Sequence, residues 1–138
     1  AEWARLAGHD FDPDAFLDYW FARDAHPDAS VVTHLTRHDM RHVIGTNNET
    51  RRAAYIETAM GFGARVERIF ASGRMGCANP GDAYFAQIEM WSGAPAPAHA
   101  LVDDTAANVT AAQARGWRAF HFTDATRADL PAFLDTLA

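Results

Sequence analysis

Apolar and polar positions along the chain follow two patterns. From residue 42 onward, short apolar runs bounded by polar residues alternate with longer segments of helical character. The apolar runs predict four strands, over residues 42–46, 66–71, 99–102 and 118–122. Strands that alternate with helices indicate a parallel sheet with helices on both faces, so the predicted fold class is α/β in three layers.

Helix boundaries are predicted from capping residues. Asp12 before Pro13 is typical of an N-cap followed by proline in the first helical turn. We expect Asn48 and Asn79 to cap two further helices in the same way. The predicted helices cover residues 13–23, 27–37, 48–60, 79–91, 106–115 and 129–137.

Four aromatic residues crowd the first predicted helix: Phe16, Tyr19, Trp20 and Phe21. A helix this apolar must pack against something, and we expect these side chains to close the core. The alternative is an interface with another segment.

Composition narrows the classes of partner. The 138 residues carry a net charge of −6, which argues against nucleic acid because a phosphate backbone demands a basic surface. All twelve basic residues are arginine, so no lysine ammonium is available. No signal pattern and no apolar run of membrane-spanning length occurs, so we expect no membrane partner and a cytoplasmic location. The single cysteine, Cys77, gives no sign of an oxidising compartment, and we interpret it as inert.

An acidic pair follows the third predicted strand. Asp103 and Asp104 end the apolar run that contains Leu101 and Val102, directly before a predicted helix. This order places two carboxylates at the carboxyl end of a parallel sheet, where α/β folds bind ligands. Two neighbouring carboxylates suit a divalent cation, above all Mg²⁺. The alternative is that one acid caps the helix and the other is solvated.

A polar cluster follows the first predicted strand. Thr46 is expected at its carboxyl end with a free hydroxyl, and the next helix would present backbone N–H groups to an anion. A phosphate group fits this arrangement, although a simple capped turn is the better explanation of the cluster taken alone. A third candidate site is formed by His34, His38 and His42, whose spacing allows a zinc site if they lie on one helix.

Three segments together resemble the haloacid dehalogenase (HAD) superfamily of hydrolases, in the branch with a small helical cap. Residues 43–47 (VIGTN) resemble the second motif of this family, an apolar strand ending in Thr or Ser followed by Asn. Residues 72–85 resemble the third-motif region, and residues 101–104 (LVDD) followed by Asn108 and Gly116 resemble the fourth motif. The resemblance covers residues 42–123, and the helices before residue 38 resemble the end of the cap.

The resemblance implies a Rossmann-like core over residues 39–138, preceded by a helical segment over residues 1–38. It implies an aspartate nucleophile, a covalent intermediate and assistance by Mg²⁺. Asp104 would bind Mg²⁺ directly with support from Asp103, and Thr46 would hydrogen-bond the transferring phosphoryl group with Asn47 beside it. The acidic pair favours a phosphatase acting on a small phosphorylated metabolite over a dehalogenase.

Two features depart from the family pattern. Nothing in the sequence resembles the first motif, a central strand that ends in Asp-x-Asp and carries the nucleophile. The third-motif lysine is replaced by Asn79, with Arg74 as an alternative source of its charge. We therefore expect the nucleophile strand to come from another segment or from a longer protein. Direct pairing of Val43 with Val102 would contradict this expectation. The alternative function is a degenerate domain that binds a ligand without catalysis.

Overall fold

The computed structural model describes Gly8 and residues 12–37 and 39–138. Four strands occur in this part of the chain: β1 (Val43–Thr46), β2 (Arg68–Ala71), β3 (Ala100–Asp103) and β4 (Arg118–His121). The helices are α1 (Pro13–Asp24), α2 (Ala29–Val32), α3 (Thr50–Glu57), α4 (Ser72–Met75), α5 (Asp82–Ser92), α6 (Ala106–Ala114) and α7 (Leu130–Asp135). Short 3₁₀ turns lie at Thr33–Thr36, Phe62–Ala64, Ala96–Ala98 and Arg127–Asp129. None of the helices in these ranges is long and apolar enough to cross a membrane.

The strands form two parallel pairs. β1 pairs with β2, with Val43 opposite Arg68. β3 pairs with β4, with Ala100 opposite Arg118. Helical segments connect the members of each pair, as a parallel arrangement requires. The predicted α/β class with parallel strands is confirmed.

The two pairs are not joined into one sheet. Among the described residues no hydrogen-bonded pairing links β1 to β3, so Val43 does not pair with Val102. Side chains on these two strands are incompletely covered: Val43 and Val102 are half-buried and Gly45 is exposed, whereas the last three residues of β2 are buried. This arrangement agrees with the prediction that a central strand is absent from the chain.

The core lies between the strand pairs and α5. Its buried side chains come from β2, α5, α6 and the start of β4: Phe70, Tyr84, Phe85, Ile88, Ala112 and Trp117. Aromatic edges meet faces within it, since the Phe85 and Trp117 ring centroids are 5.1 Å apart at 71°. The same core residues support both strand pairs and so hold them in one body.

The first helix begins as predicted, with the Asp12 carboxylate accepting a hydrogen bond from the Asp14 amide at 2.9 Å. The prediction that its aromatic residues enter the core is wrong for three of the four. Phe21 is buried, but Phe16, Tyr19 and Trp20 are 49 to 61% exposed. The reason is that one face of α1 packs on α3, where Phe21 contacts Tyr55 with ring centroids 5.4 Å apart. The second predicted helix is also shorter than expected, because α2 gives way to a 3₁₀ turn at Thr33.

Two predicted caps are wrong. Glu49, not Asn48, caps α3, because its carboxylate accepts from the amides of Arg51 and Arg52. Asn48 is engaged elsewhere: its carbonyl accepts from the Gly73 amide at 3.0 Å. In the other case Gly81, not Asn79, is the N-cap of α5.

Candidate active site

The candidate site lies where β1 and β3 end. Tyr84 lies beside the first of these ends. Its hydroxyl donates to the Phe70 carbonyl in β2 at 2.7 Å, next to Gly45 of β1. Burial raises the pKa of Tyr84 to about 12, and the negative charge of Asp103 at the end of β3 adds to this, against a hydrogen bond from the Thr46 amide that acts in the other direction. The phenol therefore stays neutral, and its hydrogen bond joins α5 to β2 beside β1.

Thr46, the last residue of β1, is half-buried. Its Oγ1 accepts a hydrogen bond from Asn48 Nδ2 at 2.5 Å. An acceptor role on the oxygen leaves the hydroxyl hydrogen available to a further acceptor. Thr46 thus lies at the carboxyl end of β1, and its hydroxyl, which the sequence led us to expect to be free, accepts from Asn48.

Asn47 and Asn79 are brought together across 32 residues of sequence. Asn47 Nδ2 donates to the Asn79 carbonyl at 2.6 Å, and the Asn79 amide donates to Asn47 Oδ1 at 2.9 Å. Both ends of the Asn47 carboxamide are therefore used by the backbone of residue 79. The pair of bonds fixes the turn before α5 against the end of β1.

The Asn79 side chain has no structural partner for its oxygen. Asn79 is 8% exposed, the one polar residue among the buried residues of the described chain. Its Oδ1 is fully buried and makes no hydrogen bond to any described residue. An unpaired buried polar atom costs stability, so a carboxamide kept at this position calls for an explanation outside folding.

Arg74, the alternative source of positive charge, is engaged in an ion pair. Its guanidinium pairs with the Glu57 carboxylate at 2.9 Å, in a groove that Met90 and Trp91 also line. Asn47, by contrast, holds Asn79 at the end of β1. Of the two residues considered from the sequence, only Asn79 is held at the candidate site.

The two acids after β3 differ in their surroundings. Asp103 is half-buried, and both carboxylate oxygens accept from Asn108 Nδ2, at 3.2 and 3.1 Å. The Thr105 amide also donates to Asp103 Oδ1 at 2.7 Å. Asp104 is exposed, and among the described residues its carboxylate accepts from the Thr105 hydroxyl alone, at 3.3 Å. Asp103 is therefore held in place by neutral donors, while Asp104 keeps most of its capacity to bind a cation.

These acids fit Mg²⁺ only in part. Mg²⁺ is commonly held by one or two carboxylates together with water and substrate phosphate, and Asp104 with Asp103 behind it suits that pattern. However, the residues in the described ranges contain no cluster of three or more His, Cys, Asp or Glu side chains able to hold an ion. A further oxygen ligand from substrate or from another segment would be needed.

Two residues with a place in this site have no predicted role from the sequence. Asn108 is one of the residues that resemble the fourth motif, but only the structure shows that it orients the Asp103 carboxylate. Tyr84 lies in the helix at the end of the third-motif region. The sequence feature that could have indicated its role is Gly45, which lies against it in the structure. A side chain at that position would meet the Tyr84 hydroxyl at 2.8 Å, so the glycine marks a close approach.

The predicted histidine site gains no support. His42 Nε2 lies 2.8 Å from the Arg37 carbonyl oxygen, at the start of β1 and away from any helix. His34 lies in the 3₁₀ turn, and His38 is outside the described residues. Cys77 is half-buried and contacts Gln87 Nε2 at 3.2 Å.

Comparison with known proteins identifies the fold. The chain is similar to a predicted HAD-like family hydrolase from Porphyromonas gingivalis, with a TM-score of 0.75, 18% identity and coverage of 99% of this chain and 70% of that one. It is also similar to an uncharacterized protein from Corynebacterium glutamicum, with a TM-score of 0.62, 21% identity and coverage of 89% and 83%. No protein-family model and no curated protein matches the chain. The chain thus has the HAD-like hydrolase fold that the motifs predicted.

Proposed function

We propose that this chain, which has the HAD-like hydrolase fold, forms most of the catalytic core of a Mg²⁺-dependent phosphatase that acts on a small phosphorylated metabolite. The observation that carries the proposal is that the strands form two separate parallel pairs, with Thr46 and Asp103 at the ends of β1 and β3, one strand from each pair. The family resemblance places the absent strand between β1 and β3, where it would end between a hydroxyl donor and an acidic pair. A carboxylate on that strand would be the nucleophile.

The proposed reaction has two steps. The carboxylate of the inserted strand attacks phosphorus, the ester P–O bond breaks with its electron pair going to oxygen, and the leaving alkoxide takes a proton from solvent water to become the alcohol. Water then attacks the aspartyl phosphate, which releases inorganic phosphate and restores the carboxylate. Bound Mg²⁺ would supply positive charge to the phosphoryl oxygens.

Residues of this chain would bind and orient the phosphoryl group. The Thr46 hydroxyl, fixed by Asn48, would donate to one phosphoryl oxygen. Asp104 would hold Mg²⁺, and Asp103 would support it in the position set by Asn108. Asn79 would contribute a neutral hydrogen-bonding group where a lysine is usual in the family, so the site relies on Mg²⁺ for positive charge.

The test is phosphatase activity of the complete protein against a panel of phosphomonoesters, with Mg²⁺ or with EDTA. We expect Mg²⁺-dependent release of phosphate, with Asp104→Asn and Thr46→Val each lowering kcat/KM by about 10²–10³-fold. Asp82→Asn is the matched control, because that carboxylate is 97% exposed and lies at the start of α5.

The result also separates the two functions considered from the sequence. Activity that survives EDTA would contradict the metal-dependent mechanism. A complete protein that lacks a nucleophile strand and releases no phosphate would instead favour the non-catalytic binding domain.

A further inference from the structure

The strongest unexplained feature of the site is the contact between Asn47 and Asn79. Asn47 makes one hydrogen bond to the Asn79 carbonyl and one from the Asn79 amide, at 2.6 and 2.9 Å. Neither bond involves the Asn79 side chain. The contact therefore sets the position of residue 79 whatever side chain it carries.

The turn that carries Asn47 is itself fixed. The Asn48 carbonyl accepts from the Gly73 amide at 3.0 Å and from the Ser72 hydroxyl at 3.3 Å. A Cβ at Gly73 would lie 2.8 Å from the Glu49 Cα, so only glycine allows this close approach. Three connections, after β1, after β2 and before α5, are thus locked together at one end of the sheet.

The residue that these contacts hold in place is Asn79, whose side-chain oxygen makes no hydrogen bond that would stabilise the fold. The oxygen of Asn79 is buried and unpartnered, and the nitrogen lies at the opposite end of the same planar group. An amide nitrogen is a donor and suits an oxyanion, but it brings no charge.

We propose that Asn47 is a positioning residue that acts through Asn79: it holds the Asn79 carboxamide so that its nitrogen donates to a bound phosphoryl oxygen. This inference rests on the proposed function, because it takes phosphate as the ligand. The role assigned to Asn47 is positional, because each end of its carboxamide already bonds the backbone of residue 79.

A double-mutant cycle on phosphate affinity tests the proposal. The complete protein, Asn47→Leu, Asn79→Ala and the double variant are titrated with inorganic phosphate in the presence of Mg²⁺ by calorimetry. We expect each single change to weaken binding about tenfold, and the double variant to bind no more weakly than Asn79→Ala. Gln87→Leu is the control, because it removes a carboxamide that contacts Met75 and Cys77 in the same connection. Its phosphate affinity should match that of the unaltered protein.

Thermal unfolding of the same four proteins separates positioning from stability. Asn47→Leu should lower the melting temperature equally in the unaltered protein and in the Asn79→Ala variant, because the lost bonds are to the backbone. The phosphate affinities complete the comparison. If Asn47 acts only on stability, Asn47→Leu weakens phosphate binding by the same factor in the unaltered protein and in the Asn79→Ala variant, and that result would overturn the inference.

Asn79→Leu provides a second check that does not depend on a weakened protein. This change removes the unpartnered oxygen at similar volume, so we expect the melting temperature to rise by about 3–6 °C while phosphate binding weakens. A lower melting temperature would show that Asn79 serves folding, and would also contradict the inference. Absence of phosphate binding by the unaltered protein would refute the proposed function itself.

Discussion

At the residue scale, a glycine and a tyrosine determine how closely α5 approaches β1. The Tyr84 hydroxyl lies over Gly45 and donates to the Phe70 carbonyl in the neighbouring strand. The alternation of apolar residues predicts β1 but says nothing of this contact, because it joins positions 39 residues apart. The sequence shows that residue 45 is small, and only the packing of α5 explains why.

Gly45→Ala tests this contact. The new Cβ would lie 2.8 Å from the Tyr84 oxygen, so the hydroxyl must move and lose its bond to Phe70. We expect the free energy of unfolding to fall by about 1–3 kcal/mol, measured by urea denaturation. In a Tyr84→Phe background the loss should be smaller, since the oxygen that the Cβ meets is gone. Equal losses in the two backgrounds would show that Tyr84 is not the obstacle.

At the element scale, polar contacts join α5 to the end of α6 and the start of β4. Arg115 donates to both oxygens of the Glu89 carboxylate, at 2.8 and 2.9 Å, and Trp117 Nε1 donates to one of them at 2.7 Å. Hydrogen bonds from Arg115 lower the pKa of Glu89 to about 2; burial acts in the other direction, and the bond from Trp117 adds to the lowering. These three residues connect elements that the sequence analysis predicted separately.

A pH titration of stability reports on this connection. The pKa of Glu89 is lower in the folded state than in the unfolded chain, so its contribution is present above about pH 4.5 and lost as the pH falls toward 2. Glu89→Gln should therefore destabilise the protein by about 1–3 kcal/mol at pH 7, and by progressively less toward pH 2. Chemical denaturation across this range measures the difference. A pH-independent difference would mean that packing, not charge, explains the effect.

The ends of helices are where local sequence patterns no longer predict the structure. The strands and most helices were predicted to within a few residues, because their apolar periodicity is local. The residue type and position of Asn48 and Asn79 predict N-caps, but the caps in the structure are Glu49 and Gly81. Both asparagines instead make contacts with distant turns, and no local pattern reports these.

At the scale of the whole molecule, two parallel strand pairs share one core but do not join into one sheet, which leaves a gap in the hydrogen bonding between them. Among the described residues β1 and β3 each have one strand partner, so one edge of each strand has none; the proposed function takes these as the inner edges. Unpaired strand edges expose backbone N–H and C=O groups that can take up a further strand. The gap is thus the largest departure of this chain from a complete α/β sheet.

Amide hydrogen exchange followed by NMR tests whether the gap is open in solution. In a parallel strand, alternate amides point to opposite edges, so β1 and β3 should each contain both protected and rapidly exchanging amides. The protected amides should be those bonded to β2 and β4. Uniform protection of all amides in β1 and β3 would show that the inner edges are covered.

The sequence alone determined the fold class, the order of strands and helices, and the position of the acidic pair after β3. It could do so because hydrophobic periodicity and the residues at strand ends are local properties of the chain. Tertiary structure alone decided which polar groups meet. It brings Asn47 to the backbone of Asn79, and it places Asn108 where it orients Asp103. It also pairs Arg74 with Glu57. It also left the aromatic face of α1 largely exposed, because burial depends on which elements pack together and not on the composition of one helix.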